Sequence, residues 1–180
     1  MATHNFPALD ASALVDTRDA CHAYAGVLGG WTTSCRRRRK HWWQLSLRPS
    51  LHGVTTGIVH ADGVHFELAL ELATNQVRGE IAGGGQFSET LGGQTAEELG
   101  DTIREFLTSG GVDQRFAPDT TSSDGHEALD GSVRTGYSAE VAASFAQNWR
   151  ELAAAFTDFQ AGIPEETSPI NLWPCLLYTS

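Results

Sequence analysis

His65-Phe66-Glu67-Leu68-Ala69-Leu70-Glu71-Leu72 is the stretch on which the fold turns. Successive strand residues point to opposite faces. Here Phe66, Leu68, Leu70 and Leu72 share one face, and His65, Glu67 and Glu71 share the other. That alternation predicts a strand with one side in a core and one in water, as in an antiparallel sheet. Just upstream, Ala61-Asp62-Gly63 signals a tight hairpin turn, and Val54–His60 reads as the partner strand. Further back, His41–Leu47 sets Trp43, Leu45 and Leu47 against Trp42, Gln44 and Ser46 and reads as another strand, with Gly53 punctuating. Downstream, a turn at Asn75 leads to a strand through Val77, Gly79 and Ile81. The Gly83-Gly84-Gly85 break leads to one over Phe87–Leu91, and Val112–Ala117 is a further strand candidate. Short strands joined by turns predict an antiparallel meander.

Helical spacing surrounds this run. Asp10 reads as an N-cap, and Leu14, Cys21, Tyr24, Leu28 and Trp31 lie on one stripe, predicting a helix from Ala11 to about Arg38, kinked at Gly29-Gly30. Thr95-Ala96-Glu97-Glu98 is a capping box. It opens a helix carrying Leu99, Ile103, Phe106 and Leu107, which Gly110-Gly111 closes. From Ser138, the residues Val141, Phe145, Trp149, Leu152, Phe156 and Phe159 form an amphipathic stripe that ends at Gly162 and Pro164. Pro118–Gly136 reads as a long exposed loop, and Ser168–Pro174 as the start of another strand. The expected fold is a single α+β domain over 1–174, with an antiparallel sheet of about five or six strands and helices packed on one face.

Composition narrows the function classes. Among 180 residues, 12 basic and 22 acidic side chains give a net charge of −10. This argues for a soluble protein and against nucleic acid or an anionic membrane as partner. No apolar run approaches the ~18 residues of a membrane span. The start of the chain lacks the pattern of a secretory signal. Cys21, Cys35 and Cys175 make an odd number with no close pair, which suits neither a disulfide framework nor a structural zinc site. A cytoplasmic location is expected.

Four segments together resemble a bacterial family, domain of unknown function 5996. They are His41-Trp42-Trp43 with Leu45, Gly53-Val54-Thr55-Thr56-Gly57, the strand with Phe66, and Ser168-Pro169-Ile170-Asn171-Leu172-Trp173-Pro174. Order and spacing fit along nearly the whole chain, as does the aromatic helix around Phe145 and Trp149. The resemblance implies no particular activity. It does imply a continuation, since similar proteins follow Leu-Trp-Pro with a His-His-Phe-Asp stretch. Here Cys175-Leu176-Leu177-Tyr178-Thr179-Ser180 follows. It resembles translated adapter sequence, so residues 175–180 are expected to be non-native and the chain truncated, with an exposed apolar edge and poor solubility.

Candidate chemistry is sparse. Arg36-Arg37-Arg38-Arg39-Lys40 reads either as a phosphate patch or, preferably, as cations closing a helix at the negative end of its dipole. On a strand, His41 and Trp43 would share a face opposite Trp42. One tryptophan then lines a cleft with His41 as polar contact or general base, or both tryptophans pack in the core, the preferred reading. His65 and Glu67 share a strand face and form a weak pair for catalysis or a metal, with His60 across the turn; a solvated face explains them as well. Thr55 and Thr56 offer hydroxyls to a ligand, and Gly57 marks a bulge or a close backbone approach. Trp173 joins Trp43, Thr55 and Thr56 as a ligand-binding candidate. No metal site and no cofactor is assigned, and the oligomeric state is open. Two functions follow: a small-molecule-binding or metal-assisted enzymatic domain with a cleft lined by aromatics and histidine, or a non-catalytic interaction domain with its aromatics in the core.

Overall fold

The computed structural model describes residues 4–8, 11–117 and 136–173, with residues 11–13 for their backbone only. Helix α1 (Ala11–Cys35) is the centrepiece. Tyr24, Leu28 and Trp31 are wholly buried along it, each burial contributing about 1.5–3 kcal/mol. Trp31 meets Phe66 of the sheet edge-on, with centroids 6.2 Å apart. No kink forms at Gly29 and Gly30. Packing on both flanks of the helix outweighs the roughly 1 kcal/mol that each interior glycine costs, and Thr32 and Thr33 both donate their hydroxyls to the Gly29 carbonyl at 2.8 Å.

The sheet comprises β1 (Arg48–Pro49), β2 (Val54–Thr55), β3 (Val59–Ala61), β4 (Val64–Glu71), β5 (Gln76–Ile81) and β6 (Gln86–Thr90). All pairings are antiparallel, in the order β1-β2-β4-β5-β6, with β3 also paired to β4. The alternation in β4 sorts as the sequence predicts: Phe66, Leu68, Leu70 and the following Leu72 are buried, while His65 and Glu67 face solvent. Asp62 and Gly63 both take positive φ, 46° and 89°, closing a two-residue hairpin.

Helix α2 (Ala96–Ser109) opens with the complete capping box, in which the Glu98 amide donates to Thr95 Oγ1 and the Thr95 amide to Glu98 Oε2. Helix α3 (Ala139–Gln160) begins at Ser138, whose hydroxyl accepts from the Val141 amide. Helix α1 lies on β3 and β4, α2 on β5, and α3 against α1 and the β1 end. The fold is therefore α+β, an antiparallel sheet with helices over its buried face.

Four expected strands differ. His41–Leu47 is not extended: Lys40–Leu45 forms 3-10 turns, with His41 and Trp42 both left-handed at φ 58° and 57°. The buried Gln44 side chain accepts from the Arg39 amide at 2.9 Å. Local bonds thus replace a ladder, and the apparent alternation carried no strand. Val54–His60 is two strands interrupted at Thr56–Ile58. Val112–Ala117 carries a 3-10 turn at Gln114–Phe116, where the Asp113 side chain accepts from the Arg115 amide and local bonds replace a ladder. Within Ser168–Trp173 only one bridge forms, Leu47 with Leu172, each amide donating to the other's carbonyl at 2.8 Å. The predicted cap at Asp10, most of the predicted loop at 118–135, Pro174 and residues 175–180 lie outside the described residues.

Candidate functional site

The interruption between β2 and β3 is the structural origin of the site. Thr55 pairs with Ala69 and Val59 with Phe66, so the three residues Thr56–Ile58 face only Glu67 and Leu68. One residue is extra, which makes a β-bulge of the kind that re-aims side chains at functional sites. Gly57 holds φ 60° at its crest. Thr56 staples the bulge to β4: its hydroxyl accepts from the Leu68 amide at 3.0 Å and donates to the Gly57 carbonyl at 2.7 Å. The carbonyls of Thr56 and Ile58 are thereby turned outward, away from the ladder.

Arg36, the first residue past α1, uses them. Its Nη2 donates to Thr56 O at 2.6 Å and to Ile58 O at 3.2 Å, which fixes a half-buried guanidinium against the bulge. Arg48 of β1 lies over Gly57, where a Cβ would come within 3.2 Å of Arg48 Nη1. Burial, then the neighbouring charges of Arg48 and Arg39, push the Arg36 guanidinium below its ordinary value. The ion pairs among the described residues involve His4, Arg18, Arg78, Arg104 and Arg115, and none engages Arg36, Arg37, Arg39 or Arg48.

These four arginines line a cleft of about 880 Å³. Trp43 and Ser46 come from the loop after α1, Pro49 from β1, His60 from β3, and Pro169, Ile170 and Asn171 from the segment that the Leu47–Leu172 bridge holds against the fold. Cys35 is part of the lining, its thiol pushed up to about 11 by burial, against the pull of Arg36. Two consecutive left-handed residues without a glycine cost about 1–2 kcal/mol each. At His41 and Trp42 that conformation throws Trp42 outward, 52 % exposed, beneath the Arg38 guanidinium at 4.3 Å, and leaves Trp43 half-buried on the cleft wall. Backbone strain of this kind collects at ligand sites.

The predicted residues separate into two groups. Trp43 lines the cleft, and Trp173 stands beside it, its indole N–H donating to the Trp42 carbonyl at 3.4 Å. His41 is exposed, 6.1 Å from the Trp43 ring between centroids. Thr56 is buried in the bulge, and Thr55 donates its hydroxyl to Glu67 Oε1 at 2.5 Å, so both hydroxyls are engaged by the protein itself. The preferred core reading of Trp42 and Trp43 fails, since neither is a buried strand residue.

His65 and Glu67 lie on the solvent face, in a shallower depression of about 370 Å³ shared with Ile58, His60 and Glu80. His60 and His65 are cross-strand partners with Nδ1 atoms 2.6 Å apart, one ring donating and the other accepting. Among the described residues, no group of three or more His, Cys, Asp or Glu side chains is placed to hold a metal ion. What the sequence reading passed over is Arg36, Arg39, Arg48 and His60 as one site. The basic run was visible as five consecutive cations; that it would meet a distant bulge was not.

No helix among the described residues is long and apolar enough to cross a membrane. No curated protein and no solved structure matches the chain. The model of a family of unknown function, DUF5996, matches residues 6–175. That span includes α1, the left-handed loop, the bulge and the Leu47–Leu172 bridge, all the elements that build the cleft, and the chain belongs to this family.

Proposed function

We propose that the chain is a small-molecule-binding domain whose ligand is an organic anion held in the arginine cleft. One observation carries this reading: four arginines with no carboxylate partner among the described residues line one cleft together with Trp43, in a chain of net charge −10. Unpaired cations gathered in one place repel each other and are stabilised by a bound anion. The cleft volume is that of small-molecule sites. The acidic surface elsewhere repels a polyanion, which supports a small ligand over nucleic acid. Free thiols at Cys21 and Cys35 suit a reducing, cytoplasmic setting.

A panel of small aromatic acids tests this by thermal shift and tryptophan emission. Ligand at about 100 times its Kd stabilises by about 2.7 kcal/mol, a shift of several degrees. The shift is expected in the wild type and expected to vanish in Arg48→Ala, a substitution at an exposed position. No response in the wild type, or the same response in the variant, rules the reading out.

A second reading, a non-catalytic interaction domain, draws on a different observation. The apolar stripe of α3 continues past its buried half, leaving Leu152, Phe156 and Phe159 exposed. Such a patch fits a protein surface.

A further inference from the structure

We propose that the cleft selects a phosphate monoester with an apolar or planar body, rather than organic anions in general; this rests on the anion-binding reading above. The cationic end is over-provided for a single charge. Arg39 and Arg48 both stand close enough to Arg36 to act on it electrostatically, and Arg37 and His60 line the same cleft. A carboxylate accepts one bidentate guanidinium fork and leaves the other cations facing each other. A phosphate monoester near neutral pH carries about −1.5 to −2 charges and three terminal oxygens. It can take a guanidinium at each oxygen.

Arg36 is also held in place before any ligand arrives. One nitrogen of Arg36 is spent on the bulge carbonyls, leaving Nε and Nη1 free to point elsewhere. Arg48 packs over Gly57, where a Cβ would come within 3.2 Å of its Nη1. Fixed donors pay less ordering entropy on binding a multivalent anion. Part of the lining is of another kind: Trp43, Pro49, Pro169 and Ile170 add a wall of apolar surface and no charge. Inorganic phosphate leaves that wall in water, whereas an ester covers it. The arrangement thus reads the ligand twice, as a doubly charged tetrahedral group at one end and as an apolar body at the other.

Four probes separate these demands. Phenyl phosphate, inorganic phosphate, benzoate and benzenesulfonate are titrated into the full chain at a pH of about 7.5, followed by calorimetry and tryptophan emission. Phenyl phosphate is expected to bind at least about tenfold more tightly than each of the other three. Arg39→Ala and Arg48→Ala, both at exposed positions, should each weaken phenyl phosphate about tenfold and benzoate by less, with the circular dichroism spectrum unchanged. Equal affinity for benzoate or benzenesulfonate overturns selection for the dianion while leaving an organic-anion cleft standing. Equal affinity for inorganic phosphate overturns the role of the apolar wall and points to the free ion as ligand. No saturable binding of any probe removes this proposal together with the reading beneath it.

Discussion

Gly53 and Gly57 do different work although they bracket the same short motif. A Cβ on Gly53 would lie 2.1 Å from the Leu70 carbonyl oxygen, because β2 passes β4 at close range there. Gly57 instead supplies a left-handed φ and room for Arg48. Gly63, at φ 89° in the hairpin, has open space around its missing Cβ. Gly53→Ala is therefore expected to cost at least about 2 kcal/mol by forcing the strands apart. Gly63→Ala should cost only about 1 kcal/mol of backbone strain. Urea midpoints of the two variants measure the difference, and equal losses would mean that the close approach contributes nothing. The sequence showed that Gly57 marks a bulge or a tight approach. It could not show which side chain would occupy the space, since Arg48 arrives there only through the pairing of β1 with β2.

At the level of elements, legibility followed the range of the forces involved. The β3–β4 hairpin, the β4 alternation and the capping box at Thr95 are set by neighbours within a few residues, and all form where the sequence places them. Trp42 and Trp43 misled because alternation predicts a strand only where a neighbouring strand exists to pair with; with none, the chain closed on its own bonds through Arg39 and Gln44. The stripe of α3 was legible as amphipathic but not as half-used. Ala142 and Ala146 are buried and Phe145 and Trp149 half-buried, while Phe156 and Phe159 reach beyond the edge of the core. Replacing both with serine should leave thermal stability within about 1 kcal/mol, since these rings have little burial to lose. It should also reduce concentration-dependent self-association on gel filtration. A large stability loss would show that the stripe is covered within the molecule itself.

Buried titratable groups among the described residues gather in and around the helix at the centre of the molecule. Cys21 sits inside α1, its thiol pushed up to about 12 by burial, and Cys35 at the end of the same helix rises to about 11. Tyr24 and Tyr137 are raised as well, burial being the largest cause. In the unfolded chain the thiols ionise near 9. Between that value and the folded values the unfolded state has released protons that the folded state retains. Stability is then fully present below about pH 9 and falls as pH rises towards 11–12. Urea denaturation across that range should show a flat midpoint up to about pH 8.5 and a decline above it, with a shallower decline in Cys21→Ala. A midpoint that holds steady up to pH 11 would contradict the burial of these thiols.

The bridge between Leu47 and Leu172 also has a temporal meaning. The hairpins of β3 to β6 join residues close in sequence and can form early, because closing short loops forfeits little chain entropy. The bridge joins residues far apart in sequence through a single pair of amides, just ahead of β1. Such a long-range contact forms after the hairpins, since more chain entropy must be given up to close it. Because the bridge places Pro169–Asn171 on the cleft, this one contact sets part of the cleft lining apart from the sheet pairings beneath.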